Sequence, residues 1–338
     1  LASAFAPPVA LAPSWCTLSL LFSDWSRTGR RDLRVSNDRH YYRDASAGAE
    51  QLWSVPSTGD PVQYTAADGW QPLRIWGMGI ASYDVTGDGM PDYYLTSQAD
   101  NKLQVLADDP TRPAYRDIAL VRNATAHRPQ EGDTTLPSTA WHDEFDDVNN
   151  DGYVDLFVAK GNVEQMPDYA ARDPSNLLLG QPDGTFRESA RDAEMVDFAR
   201  ARGAAVVDLN ADGLLDIVVV VRRENVRLWR NVGAGTATAP RSLGNWVEIQ
   251  PIQATGNRDA IGGWIEVRAD GRTQVRELTI GGGHVSGQLL PTHFGLGAAT
   301  RAEVRVTWPD GEIGPWQSLS ANNLYRVERG AQAPVQVR

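Results

Sequence analysis

Cysteine occurs once in the 338 residues, at Cys16, and a lone thiol cannot build an intramolecular disulfide framework. Lysine is nearly as scarce: Lys102 and Lys160 stand among 32 basic residues, the rest being arginine. With a formal net charge of −11, the chain lacks the basic excess that nonspecific nucleic-acid binding requires. Long apolar runs are missing too. Residues 1–22 are apolar, but Pro7, Pro8 and Pro13 interrupt them and no positive leader precedes them, which excludes a membrane-spanning helix there. Ala4-Phe5-Ala6 has the small-residue form of a signal-peptidase site, yet prolines follow it at once, and Leu18 to Phe22 is expected instead to be a first strand. The chain does not begin with Met, and the expectation is that it starts inside a longer protein. No stretch sustains the 3.6-residue period of a helical domain. Nor is there a Gly-x-Ser-x-Gly elbow or a His-Glu-x-x-His pair, so no catalytic residues are assigned; carboxylate pairs of the glycosidase kind stay open.

What the chain has in quantity is aspartate, in a repeated pattern. Asp84-Val-Thr-Gly-Asp-Gly-Met-Pro-Asp92, Asp147-Val-Asn-Asn-Asp-Gly-Tyr-Val-Asp155 and Asp208-Leu-Asn-Ala-Asp-Gly-Leu-Leu-Asp216 place side-chain oxygens at positions one, three, five and nine. Position six is glycine, which permits the turn that gathers those oxygens. The expected ligands of a hard cation are therefore Asp84, Thr86, Asp88 and Asp92 with the Met90 carbonyl; Asp147, Asn149, Asp151 and Asp155 with the Tyr153 carbonyl; and Asp208, Asn210, Asp212 and Asp216 with the Leu214 carbonyl. Calcium, which takes six to eight oxygens, is the expected ion. An EF-hand is excluded because the twelfth positions are Leu95, Val158 and Val219, none able to bind metal.

Each loop runs into a β-prone segment: Tyr93-Tyr94-Leu95, Leu156-Phe157-Val158 and Ile217 to Val221. The unit is a loop-bridged β-hairpin, and a second hairpin signal behind it, clearest at Gln181-Pro-Asp-Gly184, makes four strands per repeat. A degraded copy, Asp24-Trp-Ser-Arg-Thr-Gly-Arg-Arg-Asp32, keeps two carboxylates and adds Arg27, Arg30 and Arg31, so it is expected to hold metal weakly or not at all. Loop starts lie 60, 63 and 61 residues apart, the signature of a repeat architecture. Four-stranded sheets repeated around an axis predict an all-β propeller.

Residues 233–244 are small and polar and read as a linker, followed over 245–330 by a second all-β unit and a tail, 331–338. Its expected strands are Trp246–Gln250, Trp264–Ala269, Gln274–Ile280, Glu303–Thr307 and Leu324–Glu328. Gly281-Gly282-Gly283 reads as a turn, since no phosphate-binding Lys-Ser/Thr or helix follows it, and His284 and His293 as packed or hydrogen-bonded side chains. Trp141-His142-Asp143-Glu144 reads as solvated polar strand-end residues, and Trp70, Trp76 and Trp316 read as core, with an exposed glycan-binding face as the alternative.

Over roughly residues 15–232, within a blade region assigned to 1–232, the loops resemble FG-GAP (VCBS) repeats, the calcium-bearing blades of integrin-type propellers. Gly256-Asn-Arg-Asp-Ala-Ile-Gly262, Gly281-Gly-Gly-His284, His293-Phe-Gly-Leu-Gly297 and Trp308-Pro-Asp-Gly311 follow, in order, the pattern of the ASPIC/UnbV domain. The combination is similar to that of the cartilage acidic protein family and its bacterial relatives. The resemblance implies a secreted protein, extracellular or periplasmic, whose calcium is structural and whose partner is an extracellular protein or glycan. It implies no established catalytic activity. The alternative is an enzyme or carbohydrate-binding protein acting on glycans or in natural-product assembly, with its site at the propeller channel or the domain junction. Propellers of this kind usually have seven blades, whereas four repeats are visible here. A closed four-blade ring and an N-terminally shortened seven-blade ring are the two arrangements compatible with that count.

Overall fold

A computed structural model of the chain describes residues 5–39, 48–107, 109–129, 135–164, 166–254, 256–284, 286–289 and 291–337. Ala4 of the small-residue triplet and Arg338 of the tail lie outside the described residues. The protein is all-β, and its one helical element among the described residues is a 3-10 turn at Ala66–Asp68. The first sheet joins β1 (Cys16–Ser23), β2 (Asp32–Asp38), β3 (Gln51–Ser54) and β4 (Val62–Gln63). The second joins β5 (Ile80–Tyr83), β6 (Asp92–Leu95), β7 (Lys102–Leu106) and β8 (Tyr115–Asp117). The third joins β9 (Ala140–Asp146), β10 (Asp155–Lys160), β11 (Asn176–Gly180) and β12 (Phe186–Glu188). The fourth has β13 (Ala201–Val207), β14 (Asp216–Val221) and β15 (Arg227–Trp229), one strand fewer than expected. Past Trp229 the backbone turns at Asn231 and Gly233 into a bridged connector, Gly233 to Arg241 and Thr236 to Ala239, instead of returning along β15.

Pairing is antiparallel in sequence order, and the first strands of successive sheets, β1, β5, β9 and β13, lie side by side. The apolar runs after each loop become second strands for a physical reason. In β10, Leu156 and Val158 pack with Tyr94, Phe145 and Phe186 of one inter-sheet core, while Phe157 and Ala159 pack with Val206, Ile217 and Val219 of the next. A strand covered on both faces must be apolar at every position. The outer faces of the terminal sheets are covered less completely: Leu11 and Val55 pack on Leu33, Val35 and Trp53, while Leu20 and Phe22 of β1 and Val220 of β14 remain exposed.

The C-terminal unit is a two-sheet sandwich. One sheet orders β19 (Thr292–Gly297), β16 (Asn245–Ile252), β22 (Asn323–Glu328) and β23 (Val335–Gln336). The other orders β18 (Arg272–Glu277), β17 (Trp264–Ala269), β20 (Arg301–Thr307) and β21 (Gln317–Ser320). Along β20 the alternation Ala302, Val304, Val306 points inward against Ile265, Val267, Phe294 and Trp308, as a half-buried strand requires. The strand at Thr292–Gly297 was legible only as a motif, and β16 pairs with β22 in parallel.

Candidate metal loops and the junction cavity

Each loop spans the turn between the first and second strand of its sheet, and all four share one backbone. Positive φ recurs at position four, in Arg27, Gly87, Asn150 and Ala211, and at position six, in Gly29, Gly89, Gly152 and Gly213. That path turns the position-one carboxylate inward. Asp84 Oδ1 accepts from Gly87 N at 2.8 Å and Oδ2 from Gly89 N at 2.9 Å; Asp147 Oδ2 accepts from Gly152 N at 2.7 Å; Asp208 Oδ2 accepts from Gly213 N at 2.9 Å. Asp88, Asp151 and Asp212 each accept from the N–H two residues on, at Met90, Tyr153 and Leu214. Asn149 and Asn210 donate to Asp151 and Asp212 at 3.0 and 2.9 Å. At position nine, Asp92 accepts from Thr86 N, Asp155 from Val148 N and Gly180 N, and Asp216 from Asn231 N.

Burial first, and neighbouring carboxylates second, push these acids up: Asp84 to about 6, Asp92 and Asp147 to about 7, with Asp155 raised well above the ordinary range. In the loop 84–92, Asp92 Oδ1 and Thr86 Oγ1 are buried with no hydrogen-bond partner. All donors offered are hard oxygens, so this loop suits a calcium-like cation in kind. Among the described residues, however, no three His, Cys, Asp or Glu side chains are gathered closely enough to hold a metal ion as they stand. The position-five carboxylates would have to swing inward from their own turn N–H groups to complete a shell.

The loops also carry the C-terminal sandwich. Asn150, at position four of its loop, bonds His293 Nε2 at 2.6 Å through Oδ1, donates to Gly213 O at 3.0 Å, and accepts from Gly297 N at 2.9 Å through its carbonyl. Gly213 lies flat on the Trp246 ring, where a Cβ would fall 1.9 Å from a ring atom. In the degraded loop, Arg31 donates to Gly262 O and Pro309 O at 3.1 and 2.6 Å, and Asp24 N donates to Glu277 at 2.7 Å.

Between the sheets and the sandwich lies a half-enclosed cavity of about 310 Å³, walled by His142, Asp143, Glu144 and Asp146 of β9, by Arg276 and Glu277 of β18, and by His293. The tetrapeptide Trp141 to Glu144 is thus not a solvated strand end: Trp141, His142 and Asp143 are buried, because β9 is flanked on both sides. Asp143 accepts from Ala81 N at 3.0 Å and stays well above the usual carboxylate range through burial. His142 Nδ1 shares a proton with Ser286 Oγ at 2.9 Å, and Nε2 lies 3.3 Å from Glu144 Oε2. Glu144 in turn accepts from Gln288 Nε2 at 2.8 Å.

The segment expected to be a simple turn is the sandwich's main contact with the sheet axis. Gly282 N donates to Leu20 O of β1 at 2.8 Å, Ile80 N of β5 donates to Gly282 O at 2.7 Å, and Gln288 reaches Val206 O of β13 at 3.3 Å. A Cβ on Gly282 would fall 2.1 Å from Ile80 O and one on Gly283 2.6 Å from the His142 ring, which explains consecutive glycines. The His284 ring lies 5.0 Å from that of Trp141 at a tilt of 47°, and its pKa is lowered to about 4, mainly by burial. Trp70 is 1 % exposed and belongs to a blade core, as the core reading has it, while Trp76 and Trp316 are half-buried.

Comparison with known proteins follows these divisions. Residues 147–219 match the model for FG-GAP-like repeats, and residues 253–334 match that for ASPIC and UnbV. The chain carries both an FG-GAP-like repeat and an ASPIC/UnbV domain. Cartilage acidic protein 1 of Mus musculus is 23% identical over 271 residues, covering 80% of this chain and 39% of that protein. The Homo sapiens protein is 23% identical over 292 residues, covering 85% and 42%. The chain therefore spans about two fifths of the length of these relatives. Among solved structures, BBS1N in complex with ARL6DN covers 96% of this chain and 76% of its own at 12% identity and a TM-score of 0.36. An Agrocybe aegerita lectin recognising non-reducing terminal N-acetylglucosamine covers 91% and 81% at 13% identity and a TM-score of 0.34. No helix among the described residues is long and apolar enough to cross a membrane.

Proposed function

We propose that this chain is a secreted, calcium-stabilised propeller scaffold that binds extracellular macromolecules, with calcium serving mainly to fasten its hairpins. One observation carries the reading: in the loop 84–92, buried carboxylates press on one another while Asp92 Oδ1 and Thr86 Oγ1 have no partner. A divalent cation held by Asp84, Thr86, Asp88, Asp92 and the Met90 carbonyl would satisfy both oxygens and keep the acids ionised. The sets around Asp147 and Asp208 are equivalent by position. Because Asn150 links its loop to His293, a cation there would also brace the sandwich. The relatives' name, cartilage acidic protein 1, is in keeping with an extracellular setting. Calcium added to EDTA-stripped protein should raise the melting temperature by roughly 5 °C or more, and magnesium should do so poorly. A melt indifferent to EDTA and calcium overturns the proposal.

The junction cavity favours a second reading, an enzyme or carbohydrate-binding protein acting on glycans or in natural-product assembly, because polar groups converge there outside the loops. A saccharide bound by the protein and lost on His142→Ala would support it; a glycan screen without any binder would remove it.

A further inference from the structure

We infer that an arginine cluster on the third and fourth sheets, at the end away from the aspartate loops, is a docking site for an acidic peptide segment of a partner protein. The chain carries a net charge of −11, yet here Arg200, Arg222 and Arg223 gather around one acidic side chain, Glu164, with Arg202 beside Arg222 and Arg200. Arg200 and Arg202 flank the start of β13, and Arg222 and Arg223 follow the end of β14, opposite the loop 208–216. Arg222 pairs directly with Glu164, whose carboxylate also lies 3.8 Å from Arg200 Nη1 and 3.9 Å from Arg223 Nη2.

Two of the guanidiniums, those of Arg222 and Arg202, are held in place by the backbone, independently of that carboxylate. Arg222 Nη1 donates to Val163 O at 2.9 Å, and Arg202 donates to Gly161 O and Asn162 O, both at 3.2 Å, with its guanidinium 3.9 Å from the Trp141 ring centre. Like charges held this close oppose one another. Burial first, then Arg222 and Arg200, bring Arg202 down to about 10. Among the described residues Glu164 is the one carboxylate paired with these arginines, which leaves most of that positive charge unanswered, and rigid guanidinium forks are the usual receptors for carboxylates.

Glu164 itself is half exposed, at 51 %, so it can be displaced by an incoming acid; it is the internal stand-in for the ligand. A peptide fits better than a polysaccharide. Among the described residues no Trp or Tyr is an exposed large hydrophobic, and Phe198 nearby is capped by Arg172 at 3.8 Å, so the cluster offers no free ring for a sugar face. The inference names a partner chemistry for the scaffold reading but uses none of the calcium residues.

The test is fluorescence anisotropy of a labelled oligoglutamate on the full chain, with calcium and with EDTA, over a salt series. Saturable binding that weakens with salt is expected, tightened roughly fivefold by Glu164→Gln as the competing carboxylate is removed. Arg222→Ala and Arg223→Ala should each weaken it by about fivefold to tenfold, and Arg223, 71 % exposed, can be changed without disturbing the fold. Arg258→Ala, in the sandwich, should change nothing. Absence of saturable binding, indifference to Glu164→Gln, or a sulfated oligosaccharide binding more tightly than the peptide through the same arginines overturns the inference. Any of these results leaves the calcium proposal to its own melting experiment.

Discussion

The loops at Asp24–Asp32 and Asp84–Asp92 trace the same backbone and have opposite chemistry. In the first, Asp32 Oδ2 accepts from Trp25 Nε1 at 2.8 Å, Tyr64 OH at 2.7 Å and Arg30 Nη2 at 3.2 Å, while Oδ1 accepts from Val55 N at 3.2 Å. In the second, Asp92 Oδ1 has no partner at all. The first loop surrounds its position-nine carboxylate with protein donors, and its extra arginines reach neighbours: Arg27 bonds Gly89 O and Glu266, and Arg31 the sandwich. The turn is thus the persistent part of the motif, while the donors around its position-nine carboxylate differ from loop to loop.

The largest effect should come from position six. Gly213→Ala combines positive φ with a Cβ inside the Trp246 ring, and should cost more than about 3 kcal/mol in a denaturant melt. Gly29→Ala has the same φ sign and open space, and should cost about 1 kcal/mol. Equal losses would mean that the loop-to-sandwich contact contributes nothing.

Glu50 sharpens the question of orphaned carboxylates. It is fully buried, Oε2 has no partner, and burial raises it to about 7. A folded-state value above the unfolded one favours folding below about pH 4.5, and that advantage, on the order of 3 kcal/mol, is lost as pH rises through about 7. Glu50→Gln should therefore stabilise the protein at pH 8 and flatten the pH dependence of its melt. Asp92→Asn should instead destabilise in calcium, and matching behaviour of the two variants would contradict a metal at Asp92.

The smallest contrast pairs Asp151→Ala with Thr28→Ala. In calcium the first should cost about 2 kcal/mol, whereas Thr28 Oγ1 touches only Ser26 Oγ, at 3.0 Å, and its loss should stay within about 0.5 kcal/mol. Thermal melts in EDTA should bring the two variants together, because the gap between them is the cation's.

Much of this was legible in order along the chain. The position-six glycines predicted loops that the structure builds with φ near +80°, and the run Leu156 to Val158 predicted a strand that the structure buries on both faces. The missing fourth strand after Trp229, the burial of Trp141 to Asp143 and the reach of Gly282 were not legible. Each depends on which surface is opposite, and spacing within a chain carries no record of that. Three consecutive glycines were the one available signal for the axial contact, since glycine marks close approach as well as turns.

Sequence by itself determined the all-β class, the recurring loop and the change of pattern after residue 244, because these follow from φ preferences and apolar periodicity acting over a few residues. Tertiary structure alone decided which carboxylates keep an unanswered oxygen, which apolar side chains of the terminal sheets stay exposed, and where arginines converge on Glu164. Those outcomes are sums over groups distant in the chain. Asp32 and Asp92 differ only in the donors that folding brings to them.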